Sequence, residues 1–342
     1  MKMFRNDYSE LAHDTVLEAL LKAKDEQNVG YGLDTHSLNA AMMIQEIFQT
    51  DGDVHFLVGG TQTNMTMISF ILKDYEAVIA VKTAHINVHE TGSIEGGGHK
   101  ILTVDGKNGK IYPTDILDVI KCHTDEHMVK PKLVYISNST EIGTVYKKEE
   151  LKALHKVCKE NGLYLFIDGA RLGVALTSKE NDLTSSDISK YSDAFYIGGT
   201  KNGLLFGEAL VIVNKNLRED FRFEIKHKGA MLAKGFGCGI QFEAIMKDGL
   251  YFEIAKNANI NAYLLEEKLS QLRIKPDPVE TNKIFASVDK DLANFMIETF
   301  GCEKWIEEKS STVVRFVTSF KTTKEDVEEA YRLIKEYLDK RS

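Results

Sequence analysis

Two short apolar runs, each ending in a chemically active side chain, constrain this chain more than anything else in it. Leu165-Phe-Ile-Asp-Gly-Ala-Arg171 reads as a strand that stops at an acid, Asp168, followed by a small pair and an arginine. An aspartate at the C-terminal end of a strand points into the crevice where open α/β sheets bind ligands. Asp193-Ala-Phe-Tyr-Ile-Gly-Gly-Thr-Lys-Asn-Gly203 follows the same plan. Its aromatic and branched residues from Ala194 to Ile197 suit a pleated sheet. Gly198, Gly199 and Gly203 then clear side-chain bulk around one lysine, Lys201. An amine on a tight turn at a strand end, beside room for a planar ring, is what Schiff-base chemistry needs. A loop lysine alone is usually an ordinary solvated one; Asp168, one helix and one strand earlier, sets Lys201 apart.

The rest of the chain alternates in the same way. Val54 to Val58 reads as a strand, Gly59-Gly-Thr-Gln-Thr-Asn64 as a turn, and Met65 to Leu72 as a helix. Free N–H groups and the positive end of a helix dipole make such a turn a phosphate cradle. A nucleotide-binding loop is the rival reading, but both G-x-G-x-x-G and the Walker lysine are missing. Strands are expected at Ala77 to Val81, Ile101 to Val104 and Ala209 to Val213. Helices are expected at Asp14 to Lys24, Leu38 to Phe48, Ile116 to Cys122 and Lys148 to Asn161, the last closed by Gly162. Ile240 to Leu250 and Tyr251 to Leu272 read as two more helices. Beyond Arg273 the order is strand (Ile284 to Val288), helix (Asp291 to Phe300), strand (Val313 to Thr318), helix (Lys324 to Leu338). Arg315 sits inside the last strand, and a guanidinium in an apolar strand requires an anionic partner.

Composition removes several function classes. With 342 residues, 43% of them hydrophobic, the chain can bury one large core and a smaller one. A formal net charge of −8 argues against nucleic acid or a membrane surface as partner. No apolar run is long enough to span a bilayer. The N-terminus lacks a signal-peptide apolar region, so a cytoplasmic protein is expected. Cys122, Cys158, Cys238 and Cys302 have no metal-like or framework spacing; they are expected to be reduced thiols, and no metal is expected.

In their order these motifs resemble the fold-type I pyridoxal-phosphate enzymes. Within them they resemble the threonine aldolase and aromatic amino acid β-eliminating lyase family. The Asp168-Gly-Ala-Arg171 signature and the strand–Lys201-Asn-Gly turn carry the likeness. Phe4-Arg-Asn-Asp7, the Tyr31 loop, Gly59-Gly-Thr61, His85 and Arg315 extend it over nearly the whole chain. Three positions depart from the family pattern: Asn6 replaces a serine, Ser137 a glutamate, and His89 an aromatic residue.

The resemblance implies an α/β fold. Residues 1–250 would form a large domain with an N-terminal arm and a mostly parallel seven-stranded sheet flanked by helices. Residues 251–342 would form a small α+β domain, entered through an interdomain helix at 251–272. The cofactor implied is pyridoxal 5′-phosphate, carried by Lys201. Asp168 would pair with its ring nitrogen, and Arg171 would stand beside it. Gly60, Thr61 and Gln62 would hold the phosphate, helped by Lys234 from a neighbouring subunit. His85 would stack on the ring, and Asn138 would reach its phenolic oxygen. Asn6, Arg171, Arg315 and, across the subunit boundary, Tyr31 would bind the substrate. His85 or His127 would take a proton from the substrate's β-hydroxyl. The implied reaction is retro-aldol cleavage of threonine, allo-threonine or phenylserine to glycine and an aldehyde. A β-eliminating lyase giving pyruvate and ammonia is the alternative, and a non-catalytic cofactor-binding protein is a weaker one. A homodimer at least is expected, with a homotetramer favoured.

Overall fold

A computed structural model describes residues 3–341; Met1, Lys2 and Ser342, at the ends of the two expected domain spans, lie outside the described residues. Ten strands are arranged in two sheets: β1 (Asp53–Leu57), β2 (Glu76–Val81), β3 (Lys100–Val104), β4 (Lys130–Ser137), β5 (Tyr164–Asp168), β6 (Ala194–Gly198), β7 (Glu208–Ile212), β8 (Lys283–Asp289), β9 (Glu303–Glu307) and β10 (Ser311–Val317). The first sheet has seven strands in the order β1-β7-β6-β5-β4-β2-β3. Only β7 runs against the rest. Every residue of β2, β6 and β7 is buried. That is why these strands read as unbroken apolar runs rather than alternating ones: helices cover both faces of a mostly parallel sheet.

The expected helices form, with shifted ends. The helix Thr35–Phe48 begins three residues early because the Asp34 carboxylate accepts the Ser37 N–H at 2.8 Å. The helix Gly60–Ile71 absorbs the whole expected turn, with Gly59 as its N-cap. After Lys148–Glu160, Gly162 adopts φ 65°, the left-handed exit its sequence position suggests. The two helices expected around residue 250 are broken at Asp248 and Gly249, both at positive φ, and the second then runs as Leu250–Gln271.

That long helix leads to the second sheet, antiparallel in the order β8-β10-β9. β9 was not visible in the sequence. Glu303-Lys-Trp-Ile-Glu307 is a largely exposed edge strand, and its charges hide the alternation. The core of this unit is built from Ile284, Met296, Val314, Phe316 and Ile334, and it also buries Phe4. The Phe4 N–H donates to the Phe300 carbonyl, and the Val317 N–H donates to the Phe4 carbonyl, both at 2.8 Å. The N-terminal arm, which the sequence reading groups with the large sheet, is therefore tied to the small sheet as well.

The parallel strands place their C-terminal ends along one edge. Gly59 follows β1, His85 follows β2, Asn138 follows β4, Asp168 ends β5 and Lys201 follows β6. The small sheet closes over this edge through β9 and Arg315.

Candidate active site

Residues from both sheets enclose a cleft of about 610 Å³ at that edge. Lys201, His85, Arg171, Asn6 and Arg315 line it, as the sequence led us to expect; His89, Glu141, Tyr8 and Trp305 join them.

Lys201 stands on a turn that tolerates no side chain before it. A Cβ on Gly198 would lie 2.2 Å from the Ala170 carbonyl oxygen, and one on Gly199 would lie 2.7 Å from the Gly207 oxygen. The backbone thus packs directly against the Asp168–Arg171 loop, which brings the two motifs together. Behind the turn is Glu208, a buried acid. Its carboxyl accepts the Gly199 N–H at 3.1 Å. Burial pushes this carboxyl up to about 8, against the opposing pull of Thr200 and the Lys201 charge.

Asp168 is held from three sides. Tyr196 donates to Oδ1 at 2.5 Å, Tyr135 donates to Oδ2, and Asn64 donates to Oδ2 at 3.2 Å. The tyrosines stand on the two strands flanking β5, so the sheet itself fixes the carboxylate. Asn64 also donates to Glu90 at 2.8 Å, placing the first turns of the Gly60–Ile71 helix beside Asp168. Gly60 closes the same corner, where an added Cβ would meet the Tyr196 hydroxyl at 2.9 Å. Thr61 is exposed, and the Gln62 side-chain oxygen already accepts the Val58 N–H at 3.2 Å. What this turn offers an anion is therefore backbone N–H groups and the Gln62 amide N–H₂.

His85 has a fixed orientation. Its Nδ1 lies 2.7 Å from Oε1 of Glu90, whose side chain is wholly buried. A carboxylate only accepts, so Nδ1 carries the hydrogen and Nε2 holds the free lone pair of the neutral ring. The His89 ring lies 5.5 Å from the His85 ring. Burial, His85 and Arg315 hold His89 below the usual histidine range, against the pull of Glu141.

Arg171 is buried and gripped by Asp7, with Nε donating at 2.6 Å and Nη2 at 3.0 Å. Arg315 pairs with Glu303 and lies 4.9 Å from the centre of the Trp305 ring. Among the described residues its buried Nε has no hydrogen-bond partner. Both cations are thus pre-set for an anion. The Asn6 side-chain oxygen accepts from Tyr8 N–H at 3.0 Å and from Ser9 at 2.8 Å, leaving its N–H₂ for the cleft.

Asn138 supplies a test of fit for the implied cofactor. Its backbone N–H binds the Asp168 carbonyl at 2.9 Å, while its buried side-chain Nδ2 has no partner among the described residues. An orphaned donor on a residue whose backbone is bonded to that of Asp168 is what a phenolic oxygen would satisfy. Lys201, Asp168, Asn138 and the Gly60 turn therefore fit pyridoxal phosphate.

Three expected residues are elsewhere. His127 occupies an exposed turn before β4, where its N–H binds Asp125. The eight residues of β4 carry the chain roughly 25 Å from there to the cleft edge, so His127 does not line the cleft of its own chain. Tyr31 and Lys234 lie together on the surface, where the Tyr31 N–H donates to the Ala233 carbonyl at 3.2 Å, and neither lines the cleft of its own chain. Conversely, Asp7, Glu141, Glu208 and Trp305 were missed. Glu141 could have been found by the rule that finds His85 and Lys201, because it stands just past a parallel strand's C-terminal end.

Comparison with known proteins agrees with this arrangement. A family model described as Beta-eliminating lyase matches residues 4–291. A low-specificity L-threonine aldolase of a Pseudomonas species is 33% identical over 279 residues, 80% of each chain. A threonine aldolase structure from Leishmania major is 42% identical, with a TM-score of 0.97, covering 98% of this chain and 99% of that one. Cystalysin from Treponema denticola, whose structure contains pyridoxal 5′-phosphate, shares the fold at 17% identity and a TM-score of 0.73, covering 99% and 91%.

Proposed function

The chain belongs to the β-eliminating lyase family, and from that premise we propose that it is a pyridoxal-phosphate-dependent carbon–carbon lyase that cleaves threonine to glycine and an aldehyde. Low-specificity threonine aldolases are similar to it over most of their length, which supports the wider substrate class of β-hydroxy-α-amino acids, allo-threonine and phenylserine included.

The observation that carries this reading is the joint lining of one cleft by an amine, an imidazole and two guanidinium groups: Lys201, His85, Arg171 and Arg315. When bound, pyridoxal phosphate supplies the electron sink that lets a bond to Cα break. Lys201 would carry it, Asp168 would hold its ring nitrogen, Asn138 its phenolic oxygen, and the Gly60–Gln62 turn its phosphate. Arg171 and Arg315 bind the substrate carboxylate and so fix which bond at Cα stands over the ring. The β-hydroxyl proton passes to an imidazole, and His85 is the one whose tautomer is fixed.

The same reading includes two subunits per site. Tyr31 is flanked in sequence by the exposed Val29 and Leu33; exposed apolar side chains there suit a second copy of the chain, from which Tyr31 and Lys234 would reach the partner's cleft. A dimer, or a pair of dimers, is the assembly proposed. A large unit up to about residue 250 and a small unit beyond it, hinged at the Leu250–Gln271 helix, is the proposed division. Among the described residues no helix is long and apolar enough to cross a membrane; a cytoplasmic location is part of the proposal.

The test is product analysis after reconstitution with pyridoxal phosphate. Threonine, allo-threonine and phenylserine should each yield glycine and the matching aldehyde. Pyruvate and ammonia instead would move the assignment to β-elimination. Borohydride reduction and peptide mapping should label Lys201 alone.

A further inference from the structure

Glu141 has no part in the chemistry described so far, yet it lines the same cleft as Lys201, His85 and Arg171. Its side chain is 11% exposed. Behind it lies Lys283, the first residue of β8, with a side chain of zero exposure. The Lys283 ammonium donates to the carbonyl oxygens of Glu141 at 2.8 Å and Thr140 at 3.1 Å, and stands 3.5 Å from Glu141 Oε2. One carboxylate oxygen is thus turned back toward the small sheet. Among the described residues, the other oxygen, Oε1, carries no hydrogen bond.

The cleft is otherwise rich in donors. Arg171 and Arg315 suit a carboxylate, and Lys201 is an amine. The cleft's other glutamate, Glu303, is taken up by Arg315. His85 has spent Nδ1 on Glu90. A substrate that brings its own hydroxyl hydrogen into this space needs an acceptor, and Glu141 is the nearly buried acceptor-only group with an unused oxygen, whereas the second oxygen of Glu303 belongs to a half-exposed side chain.

We propose that Glu141 is a specificity-determining residue: its carboxylate, braced from behind by Lys283, accepts the hydrogen of the substrate's β-hydroxyl and selects hydroxylated over plain α-amino acids. This rests on the reading of the Lys201 cleft as the substrate site, and deepens it. Glu141 is not the proton acceptor of the reaction: it holds the hydroxyl hydrogen while the substrate is bound, and the hydroxyl turns that hydrogen to His85 Nε2 for cleavage. Burial opposes its charge, but Lys283, Arg171 and Lys201 hold its carboxyl well below the usual range, so it is a poor base and a good charge-assisted acceptor. A site built around a substrate hydroxyl discriminates strongly against the analogue lacking it, because the site's polar group is then left unpaired.

The experiment measures binding of two matched pairs to the reconstituted holoenzyme, serine with alanine and threonine with 2-aminobutyrate, by the cofactor's absorbance. Wild type should prefer the hydroxylated member of each pair. Glu141→Gln should cut that preference about tenfold, the gap between a charged and a neutral hydrogen bond, with the alanine and 2-aminobutyrate affinities changed less than about threefold. Equal weakening of both members, or an unchanged ratio, overturns the proposal. If Glu141→Gln fails to retain the cofactor, the ratio is read on Glu141→Leu combined with Lys283→Met, which removes the buried pair as a unit; there the preference should vanish. A wild type that binds serine no better than alanine also overturns it. A wild type that prefers serine but releases no glycine from threonine overturns only the aldolase reading.

Discussion

Asp7 grips Arg171 with both carboxylate oxygens across 164 residues of sequence, and Asn282 steadies the Asp7 side from the small sheet with a 3.0 Å hydrogen bond. The pair is almost wholly buried. Burial disfavours both charges, but each partner holds the other ionised: Asp7 is kept below the usual carboxylate range and Arg171 above the usual guanidinium range. Three of the five guanidinium hydrogens remain for a ligand. The N-terminal arm therefore does more than cover the cleft; it sets the direction in which Arg171 presents them.

Removing Asp7 should accordingly damage stability and binding together. Asp7→Ala leaves a buried cation without its partner, which costs roughly 3–5 kcal/mol, read as a lower denaturant midpoint. Asp7→Asn keeps an acceptor for one of the two bonds and should cost less. In both, KM for threonine should rise, because the guanidinium is no longer held in place.

Much of this site was legible in the sequence, for one physical reason. A side chain just past the C-terminal end of a parallel strand points toward the shared edge, so Asp168 and Lys201 were found by position, and His85 by position together with the family resemblance. Arg315 was found because a charge inside an apolar strand demands a partner. What was not legible needed knowledge of chain direction or of a distant contact. His127 precedes its strand rather than following it. Asp7 is polar and close to the N-terminus, and nothing local says that Arg171 lies over it. Lys283 opens a strand and looks like an edge residue until the strand is seen to pack against the Glu141 loop.

His85 and Glu90 form a second tunable pair. His85→Ala should lower kcat by about 10²–10⁴-fold if the imidazole handles the hydroxyl proton. Glu90 also accepts from Asn64 and Ser93. Glu90→Ala therefore strands three donors and should cost on the order of a few kcal/mol of stability. His127→Ala is the control: an exposed residue at the far edge of the sheet should leave both the kinetics and the denaturant midpoint unchanged.

Arg315 tests the role of the small sheet. Its guanidinium is paired with Glu303 and flanked by Trp305, an arrangement a lysine cannot reproduce. Arg315→Lys should raise KM for threonine by about tenfold or more, with less effect on cofactor retention, since no cofactor contact is assigned to it. A fall in cofactor affinity as large as the rise in KM would count against a substrate role.

Glu208 gives the stability of the cofactor-free protein a pH dependence with a definite sign. Its carboxyl titrates near the ordinary value of 4.5 when unfolded and at about 8 when folded. The folded protein thus holds a proton over that window that the unfolded chain has lost. A folded pKa above the unfolded one contributes stability that is fully present below about 4.5 and is lost as pH rises toward about 8. Glu208→Gln keeps the size and a side-chain oxygen for the Gly199 N–H, but cannot ionise. Most other titrations are common to the two proteins and cancel in the difference. The melting temperature of Glu208→Gln minus that of wild type should therefore climb between pH 5 and pH 8 and level off above it. A flat difference across that range would mean that the acid is ionised in the fold, its charge met by the Lys201 ammonium. The turn that carries Lys201 would then be held by an ion pair instead of by a neutral acid.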